Sequence, residues 1–338
     1  MSFFQSLFPA HREPGAAILP SEGRLPPFEG ATGWLNSEPL TPEGLRGRIV
    51  AVQFWTYTCV NWLRTLPYVR EWDAKYSDLG LTVIGVHTPE FGFERNVENV
   101  VAAAREMGVD YPIALDSDYA VWSAFANHFW PALYIADGQG RIRYHHFGEG
   151  EYAMSEMAVQ QLLREAGEEG FDPQLVSVDP EGTEVAADWS NLRTPETYLG
   201  YGSGFASLDG ARFDEPHDYP GPSRLGSNEW APSGRWTLAE HAAVLKEAPG
   251  RIAIRFHARD VNLVMGPDER GASVPFRVLI DGEPPGSAHG TEVDKQGNGK
   301  VSEQRLYQLI RQPEPIADRL FEIEYLGPGV EAYCFTFG

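Results

Sequence analysis

Cysteine is scarce in this sequence: the 338 residues include only two, Cys59 and Cys334, in different halves of the chain. So few cysteines exclude a scaffold held together by several disulfides. In a reducing compartment, isolated cysteines persist as thiols. We therefore expect two thiols, and nothing in the sequence indicates a bond between them.

Long hydrophobic runs are lacking as well. No stretch reaches the roughly 18 consecutive apolar residues that predict a membrane-spanning helix. Residues 1–19 do not show the basic segment and continuous apolar run of a secretory signal peptide. We accordingly expect a cytoplasmic protein that does not insert into membranes.

Basic residues are outnumbered: 27 Lys and Arg stand against 48 Asp and Glu, for a net charge of −21. A negative field of this size repels nucleic acid and anionic membranes, so neither is an expected partner. The spacing of His87, His128, His145 and His146 does not match a metal site. The sequence predicts no metal and no other cofactor.

The N-terminal half shows α/β alternation. Residues 1–24 form an arm rich in Pro and Gly, and a domain over residues 25–171 follows. Two short apolar runs, IVAVQF at 49–54 and LTVIGVH at 81–87, are typical of strands buried on both faces. Residues 132–147 read as a hairpin around Asp-Gly-Gln-Gly. The pattern predicts a mixed sheet covered by helices.

Two helices matter most for the site. Apolar residues at three- and four-residue steps predict a helix from Cys59 to about Ser77, with Pro67 inside it. A second helix is predicted over residues 94–107. Its apolar face would consist of Val97, Val100, Val101 and Ala104.

The pattern changes in the C-terminal half. Residues 172–190 are polar and rich in Pro, Gly and acidic side chains, as expected of a linker. From 191 to 338, short alternating strands are separated by turns such as Asp281-Gly282. This pattern favours an all-β jelly roll or antiparallel sandwich.

Cys59 lies where the first buried strand passes into a helix. Unpaired backbone N–H groups and the helix dipole stabilise an anion there, so we expect a lowered thiol pKa and a reactive thiolate. Asn61 and the backbone amides after Cys59 would contribute to this stabilisation. Glu90, in the loop after the second strand, would accept the thiol proton if it lay near Cys59, but a solvated loop acid is the favoured interpretation.

A family resemblance supports this interpretation. Phe54-Trp55-Thr56-Tyr57-Thr58-Cys59 resembles the segment before the reactive cysteine of thioredoxins and TlpA-type redoxins. Pro67 matches the helix proline of that fold, and Trp130-Pro131 matches its cis-proline. The chain after about residue 25 is similar to the soluble part of DipZ-type proteins, in which a redoxin domain precedes a carbohydrate-binding-module-like β domain.

The resemblance implies a thioredoxin-like fold and thiol redox activity. It also implies that Trp55, Tyr57 and Pro131 line a substrate groove facing the sulfur, and that Trp130-Pro131 positions the partner. Trp62 would either shape the site or pack in the core.

Two departures from the family stand out. The family motif C-x-x-C reads Cys59-Val60-Asn61-Trp62, so a bulky indole replaces the second cysteine. Gln53 stands where thioredoxins carry a buried carboxylate. The motif therefore cannot form its own disulfide, and dithiol exchange requires a second sulfur from Cys334 or from another molecule.

Monothiol chemistry remains available to Cys59. It could attack a protein disulfide and form a mixed disulfide that a low-molecular-weight thiol resolves. It could instead reduce a peroxide, since Thr56-x-x-Cys59 resembles part of the peroxiredoxin motif, although Val52 replaces the proline of that motif. We favour disulfide exchange.

An alternative of a different class is a redox-silent thioredoxin-fold binding module whose β domain recognises glycan or protein. The aromatic residues Trp230, Trp236, Tyr198 and Tyr201 could stack on a sugar face, with core packing as the competing role. The sequence assigns no chemistry to Cys334. Substrate, reductant and oligomeric state are left open.

Overall fold

The computed structural model describes residues 19–338 except 203, 205–207 and 209, so most of the predicted arm over residues 1–24 lies outside the described residues. The described residues form two compact units built from interleaved segments. The first contains the chain up to Phe54, Tyr68–Val86 and Tyr111–Ser177. The second contains Trp55–Pro67, His87–Asp110 and Val178–Gly338.

A mixed sheet organises the N-terminal half. Within the described residues its order is β1-β7-β6-β3-β4-β5-β2. β6 pairs antiparallel with β3 and with β7. The strands are β1 Gly23–Arg24, β2 Gly33–Leu35, β3 Ile49–Trp55, β4 Leu81–His87, β5 Ile113–Leu115, β6 Ala132–Ala136 and β7 Arg141–Phe147.

Two helices connect the neighbouring strands β3, β4 and β5: α1 Val60–Tyr76 lies between β3 and β4, and α2 Val97–Glu106 lies between β4 and β5. Two more follow along the chain, α3 Ala120–Ala124 between β5 and β6 and α4 Tyr152–Glu165 after β7, and 3₁₀ turns lie at Ser77–Leu79 and Gly92–Arg95. Every residue of β3 is buried, as its apolar sequence predicts. The predicted bounds of β4 and of the β6–β7 hairpin are confirmed.

The predicted apolar face of the second helix is correct for Val100 and Ala104 and wrong for Val97 and Val101. Val97 and Val101 are 45% and 44% exposed, whereas Val100, Ala103 and Ala104 are buried. The helix also starts later than predicted, because the chain first makes a 3₁₀ turn over Gly92–Arg95. The side chain of Asn96 then caps α2 by accepting a hydrogen bond from the Glu98 N–H at 3.0 Å.

A buried carboxylate anchors the last turns of α1. Glu156 of α4 is 1% exposed and accepts a 2.5 Å hydrogen bond from the Tyr76 hydroxyl. The indole N–H of Trp72 donates to the same carboxylate at 3.3 Å, and the backbone N–H of Val176 at 2.9 Å. Because a buried carboxylate without donors is costly, these contacts fix α1 against α4.

The C-terminal half is all-β, as predicted. Among the described residues, the strand order is β14-β13-β16-β11-β17-β12-β15, with β9 beyond β10 on β11, and β8 on β17. All pairings between these named strands are antiparallel. The strands are β8 Thr197–Tyr198, β9 His217–Pro220, β10 Trp230–Leu238, β11 Ala243–Phe256, β12 Asp260–Pro267, β13 Val274–Ile280, β14 Asn298–Val301, β15 Arg305–Arg311, β16 Arg319–Tyr325 and β17 Val330–Phe337.

The described residues contain neither a candidate membrane-spanning helix nor a candidate metal-binding cluster. No helix in residues 19–338, apart from the five omitted positions, is long and apolar enough to cross a membrane. In the same part of the chain, no group of three or more His, Cys, Asp or Glu side chains is arranged to hold a metal ion.

Candidate thiol site

Cys59 occupies the N-cap position of α1. β3 ends at Trp55, and the chain turns through Thr56, Tyr57 and Thr58 before the helix begins at Val60. The Cys59 N–H donates to the Thr56 carbonyl at 3.2 Å, and the Cys59 carbonyl accepts from the Leu63 N–H at 3.0 Å. The residue keeps part of its surface exposed. The predicted strand-to-helix position is therefore correct.

The predicted lowering of the thiol pKa is wrong. Burial of the sulfur and the nearby negative charges of Glu90 and Glu196 raise the Cys59 pKa well above its ordinary value. The backbone N–H groups of Trp62 and Asn61 act in the opposite direction but are outweighed. A helix terminus contributes about 0.3–1 kcal/mol, whereas burial can shift a pKa by several units of roughly 1.4 kcal/mol each.

A second buried carboxylate lies beside the turn that carries Cys59. Glu94 is 1% exposed, and its Oε1 accepts a 2.6 Å hydrogen bond from the Thr58 hydroxyl. Its Oε2 accepts from the backbone N–H groups of Glu90 and Phe91 at 2.6 and 2.9 Å. Burial raises the Glu94 pKa. Sequence analysis placed Glu94 at the start of a helix, although its position three residues after Phe91 is that of a capping-box acid.

Glu90 is half-buried, and its side chain is hydrogen-bonded to a residue far along the chain within the second unit. Its side chain accepts a hydrogen bond from the hydroxyl of Tyr198 in β8. Burial, with the charge of Glu94 second, raises the pKa of Glu90 to about 8. Glu90 is therefore largely protonated at pH 7, and it loses its proton in the range where thiols begin to ionise.

The aromatic residues around the turn form a packed support rather than an open surface. Trp55 and Trp62 are 0% exposed and stack with ring centroids 4.2 Å apart. Tyr57 is 3% exposed and stacks on His87, whose pKa burial lowers to about 3. Thr56 is fully buried too, whereas Asn61 is half-buried. The groove-lining positions implied for Trp55 and Tyr57 are therefore occupied by core side chains.

Trp130 and Pro131 belong to the first unit. Their peptide bond is cis. The indole of Trp130 packs on Trp122 at 4.3 Å, and the Pro131 carbonyl accepts from the Gly148 N–H at 2.8 Å. Gln53 lies in β3 and is 1% exposed.

Sequence analysis named Cys334 only as one source of a second sulfur and assigned it no chemistry of its own. It lies in β17, is 2% exposed, and pairs in register with Tyr198 of β8. Burial, Glu196 and Glu90 raise its pKa well above the ordinary value, and the charge on Cys59 raises it further. Alternating strand sequence gives no sign of this neighbourhood, because it arises from residues far away in the chain.

Both tryptophans predicted as ligand contacts of the β domain pack in its hydrophobic core. Trp236 is 0% exposed, and its indole N–H donates to the Ser233 carbonyl at 2.9 Å, so it presents no ring face to a ligand. Trp230 is 2% exposed, and it borders a cavity of about 530 Å³ together with Tyr219, Arg224 and Glu229. The ring of Tyr201 packs against Phe213 in a tilted arrangement, with centroids 4.9 Å apart.

The fold of the N-terminal half and the placement of Cys59 define a thioredoxin-like protein. Residues 21–191 match the Redoxin family, and residues 194–338 match the family described as Thioredoxin like C-terminal domain. The chain belongs to the redoxin family.

Several known proteins are similar to this chain. Protein DipZ of Mycobacterium tuberculosis is 41% identical over 277 residues, which cover 80% of this chain and 38% of DipZ. The thiol-disulfide oxidoreductase YkuV of Bacillus subtilis is 30% identical over 141 residues, covering 42% of this chain and 95% of YkuV. A thioredoxin-like protein solved in its oxidised form is 33% identical, with 42% and 96% coverage and a TM-score of 0.40. The chain thus spans well under half of the length of DipZ.

Proposed function

We propose that this protein carries out thiol–disulfide exchange with Cys59 as its nucleophile. The observation that carries the proposal is the position of Cys59. Its sulfur faces the N–H groups of Asn61 and Trp62 at the first turn of α1, and the residue remains partly exposed. The amides stabilise the thiolate that attacks a disulfide, and the partly exposed residue lies at the surface although burial of its sulfur slows the approach of a partner.

Burial of the sulfur, followed by the nearby carboxylates, makes this nucleophile slow at neutral pH. A thiol whose pKa lies two or more units above the ambient pH is ionised to roughly 1% or less. The thiolate that does form is a stronger nucleophile than one of low pKa, which offsets part of the loss. We therefore expect exchange that accelerates with rising pH, in contrast to a thiol activated for neutral conditions.

The substrate class that suits Cys59 is a protein disulfide or a low-molecular-weight disulfide. The thiolate attacks one sulfur, a mixed disulfide forms on Cys59, and the other sulfur leaves as a thiolate. Because Trp62 replaces the second cysteine of the motif, the thiol that resolves this intermediate must come from elsewhere. The name of the relative YkuV supports the substrate class. Peroxide reduction through a Cys59 sulfenic acid is the competing chemistry.

The test measures the reactivity of Cys59 in the full chain. Iodoacetamide labelling is followed from pH 6 to pH 11, and peptide mass spectrometry separates Cys59 from Cys334. We expect Cys59 to be labelled with a midpoint well above the ordinary thiol value, and to lose its thiol to oxidised glutathione by way of an adduct on Cys59, whether or not that adduct is later resolved. The Cys59→Ser variant should form no such adduct. A Cys59 that stays unmodified in the folded protein even at pH 11 would refute the proposal.

The peroxide alternative is separated by a parallel reaction. The protein is treated with hydrogen peroxide, and Cys59 sulfenic acid is trapped with dimedone. We expect trapping to be slower than glutathione adduct formation at the same pH and oxidant concentration. Faster trapping would instead assign the protein to peroxide reduction.

A second candidate function rests on the cavity at Trp230. Tyr219 and Trp230 border it with the small fractions of their surface that stay exposed, 7% and 2%, and Arg224 and Glu229 offer charged groups that could orient a polar ligand. This would suit the glycan-binding role of a redox-silent protein. Titration with cellobiose, followed by tryptophan fluorescence, should give a saturable change that Trp230→Phe abolishes. An absence of change would exclude this neutral sugar as a ligand of the cavity.

A further inference from the structure

Cys334 lies in β17, a strand of the C-terminal half of the chain. In β17 it pairs with Val264 of β12 on one side and with Tyr198 of β8 on the other. Its thiol donates a weak hydrogen bond to the Phe335 carbonyl at 3.3 Å. Residues that face each other across antiparallel strands project from the same face of a sheet. Cys334 and Tyr198 therefore share a face.

Through Tyr198, that shared face contacts the loop that carries Glu90, and Glu94 joins this loop to the turn before Cys59. The hydroxyl of Tyr198 donates to Glu90. The backbone N–H of Glu90 and the hydroxyl of Thr58 both donate to Glu94, each at 2.6 Å. A continuous hydrogen-bonded chain thus runs from the residue preceding Cys59 to the cross-strand partner of Cys334.

Independent contacts flank the two cysteines. Arg64, one turn into α1, is 2% exposed and donates from Nη2 to the Phe337 carbonyl at 3.1 Å. The ring of Tyr333, the residue before Cys334, lies 4.8 Å from Phe93 and 5.2 Å from Phe91. Arg64 therefore ties α1 directly to β17, and Tyr333 ties β17 to the loop that carries Phe91 and Phe93.

The electrostatics agree with this placement. After burial, Glu90 and Glu196 are the groups that raise the pKa of Cys59, and the same two carboxylates raise the pKa of Cys334. The ionised form of Cys59 raises the Cys334 pKa as well. Charges act this way on groups that lie close to one another.

We propose that Cys334 is the resolving thiol of this protein, and that Cys59 and Cys334 form an intramolecular disulfide. The inference rests on the proposed function, since it supplies the second sulfur that the Cys59-Val60-Asn61-Trp62 segment lacks. The second thiol comes from a β strand of the C-terminal half instead of from the same helical turn.

The reaction balances as a two-electron exchange. The Cys59 thiolate attacks a substrate disulfide R–S–S–R′, forming Cys59–S–S–R and releasing R′–S⁻, which takes up a proton. Where Glu90 is ionised, as the pH approaches and passes 8, the Cys334 thiol gives its proton to the Glu90 carboxylate and attacks Cys59 Sγ, breaking the bond to R and releasing R–S⁻, which also takes up a proton. The substrate gains two electrons and becomes two thiols, and the protein becomes a disulfide. A dithiol reductant reverses the oxidation.

Glu90 has the properties required of the proton acceptor. Its pKa of about 8 is far above that of an ordinary carboxylate, so its ionised form is basic enough to compete for a thiol proton. Tyr198 holds its side chain in place through the hydrogen bond described above.

The experiment uses the full chain, fully reduced and then incubated with oxidised glutathione. Samples are quenched with acid, alkylated, and digested without reductant for peptide mass spectrometry. We expect a cross-linked peptide pair joining Cys59 and Cys334, and little protein–glutathione adduct. In Cys334→Ala we expect the Cys59–glutathione adduct to accumulate roughly tenfold above the wild-type level, because no internal thiol resolves it. Cys59→Ser should form neither product.

The outcomes separate this inference from the proposed function. A stable glutathione adduct on wild-type Cys59, with Cys334 still a thiol, would overturn the resolving role and leave the exchange activity intact. An intermolecular disulfide dimer in place of the internal bond would overturn it equally. If Cys59 forms no adduct and no cross-link at any pH tested, the proposed function itself fails. The wild-type peptide map decides the matter even if a variant folds poorly.

Discussion

The hydroxyl of Thr58 donates a 2.6 Å hydrogen bond to Oε1 of Glu94, joining the residue before Cys59 to a fully buried carboxylate. The same carboxylate holds the backbone N–H groups of Glu90 and Phe91. One side chain thus fixes both the turn that presents Cys59 and the loop that presents Glu90. A change at either end of the Thr58–Glu94 bond is therefore expected to affect stability and thiol geometry together.

Replacing Thr58 by Val tests this bond. The variant keeps the shape of the side chain but removes a donor to a buried acceptor, which typically costs about 1–3 kcal/mol. We expect urea denaturation to show that loss in the free energy of unfolding. Thr291→Val, at an exposed position, is the matched control and should change it by less than about 0.5 kcal/mol. Equal stabilities of the two variants would contradict the role of Thr58.

Removing the charge of Glu90 should make both thiols more acidic. Glu90 raises the pKa of Cys59 and of Cys334 when it is ionised, and above pH 8 it is mostly ionised. In Glu90→Gln, the midpoint of iodoacetamide labelling at Cys59 should therefore move to lower pH. Glu38→Gln, which neutralises an exposed acid of the first unit, should leave the midpoint unchanged. A shift to higher pH in Glu90→Gln would show that Glu90 does not act through its charge.

Glu90 should also make stability depend on pH. Folding raises its pKa from 4.5 to about 8, so the folded state favours the protonated carboxyl. The stabilisation is complete below about pH 4.5 and is lost as the pH rises through 8. In urea denaturation, the free energy of unfolding of the wild type should decline as the pH rises from about 4.5 to about 8. The decline should be smaller for Glu90→Gln. Parallel curves for the two proteins would contradict the raised pKa.

Trp62 is expected to be a stability residue. Its indole is fully buried and stacks on Trp55, so Trp62→Ala removes a large side chain from a packed site. Such changes cost about 3–5 kcal/mol. Trp189→Ala, at a tryptophan that is 64% exposed, serves as the control and should cost far less. Thermal melting would reveal a lower midpoint for Trp62→Ala; similar midpoints for both variants would show that the Trp55–Trp62 stack contributes little.

Local sequence patterns were sufficient for much of the fold. The apolar runs of β3 and β4 and the turn residues between β6 and β7 predict those elements closely, because burial on both faces and tight-turn chemistry depend on neighbouring residues. The sequence pattern did not predict a strand at β10, because its sequence WAPSGRWTL contains Pro232 and Gly234 and does not alternate between apolar and polar residues. Glycine and proline normally argue against a strand interior.

The site was predictable only in part. Cys59 and Glu90 could be found because a strand end and a helix start are readable along the chain. The Glu94 and Cys334 contributions could not, since they depend on pairing between segments far apart in sequence. The direction of the Cys59 pKa shift was predicted incorrectly for the same reason: the helix terminus is a local feature, whereas burial and the charge of Glu196 are tertiary ones.

Because β17 is paired on both sides, the backbone at Cys59 rather than at Cys334 would have to move if a disulfide formed between them. Cys334 has strand partners on both sides, at Val264 and Tyr198, so its backbone has little freedom to shift. Cys59 instead follows a turn of non-strand residues and is half in and half out of α1. Oxidation would accordingly change the backbone conformation of the turn at Thr56–Cys59. Hydrogen exchange of the amides in that turn would differ between the dithiol and disulfide forms, whereas the amides of β17 would be equally protected in both.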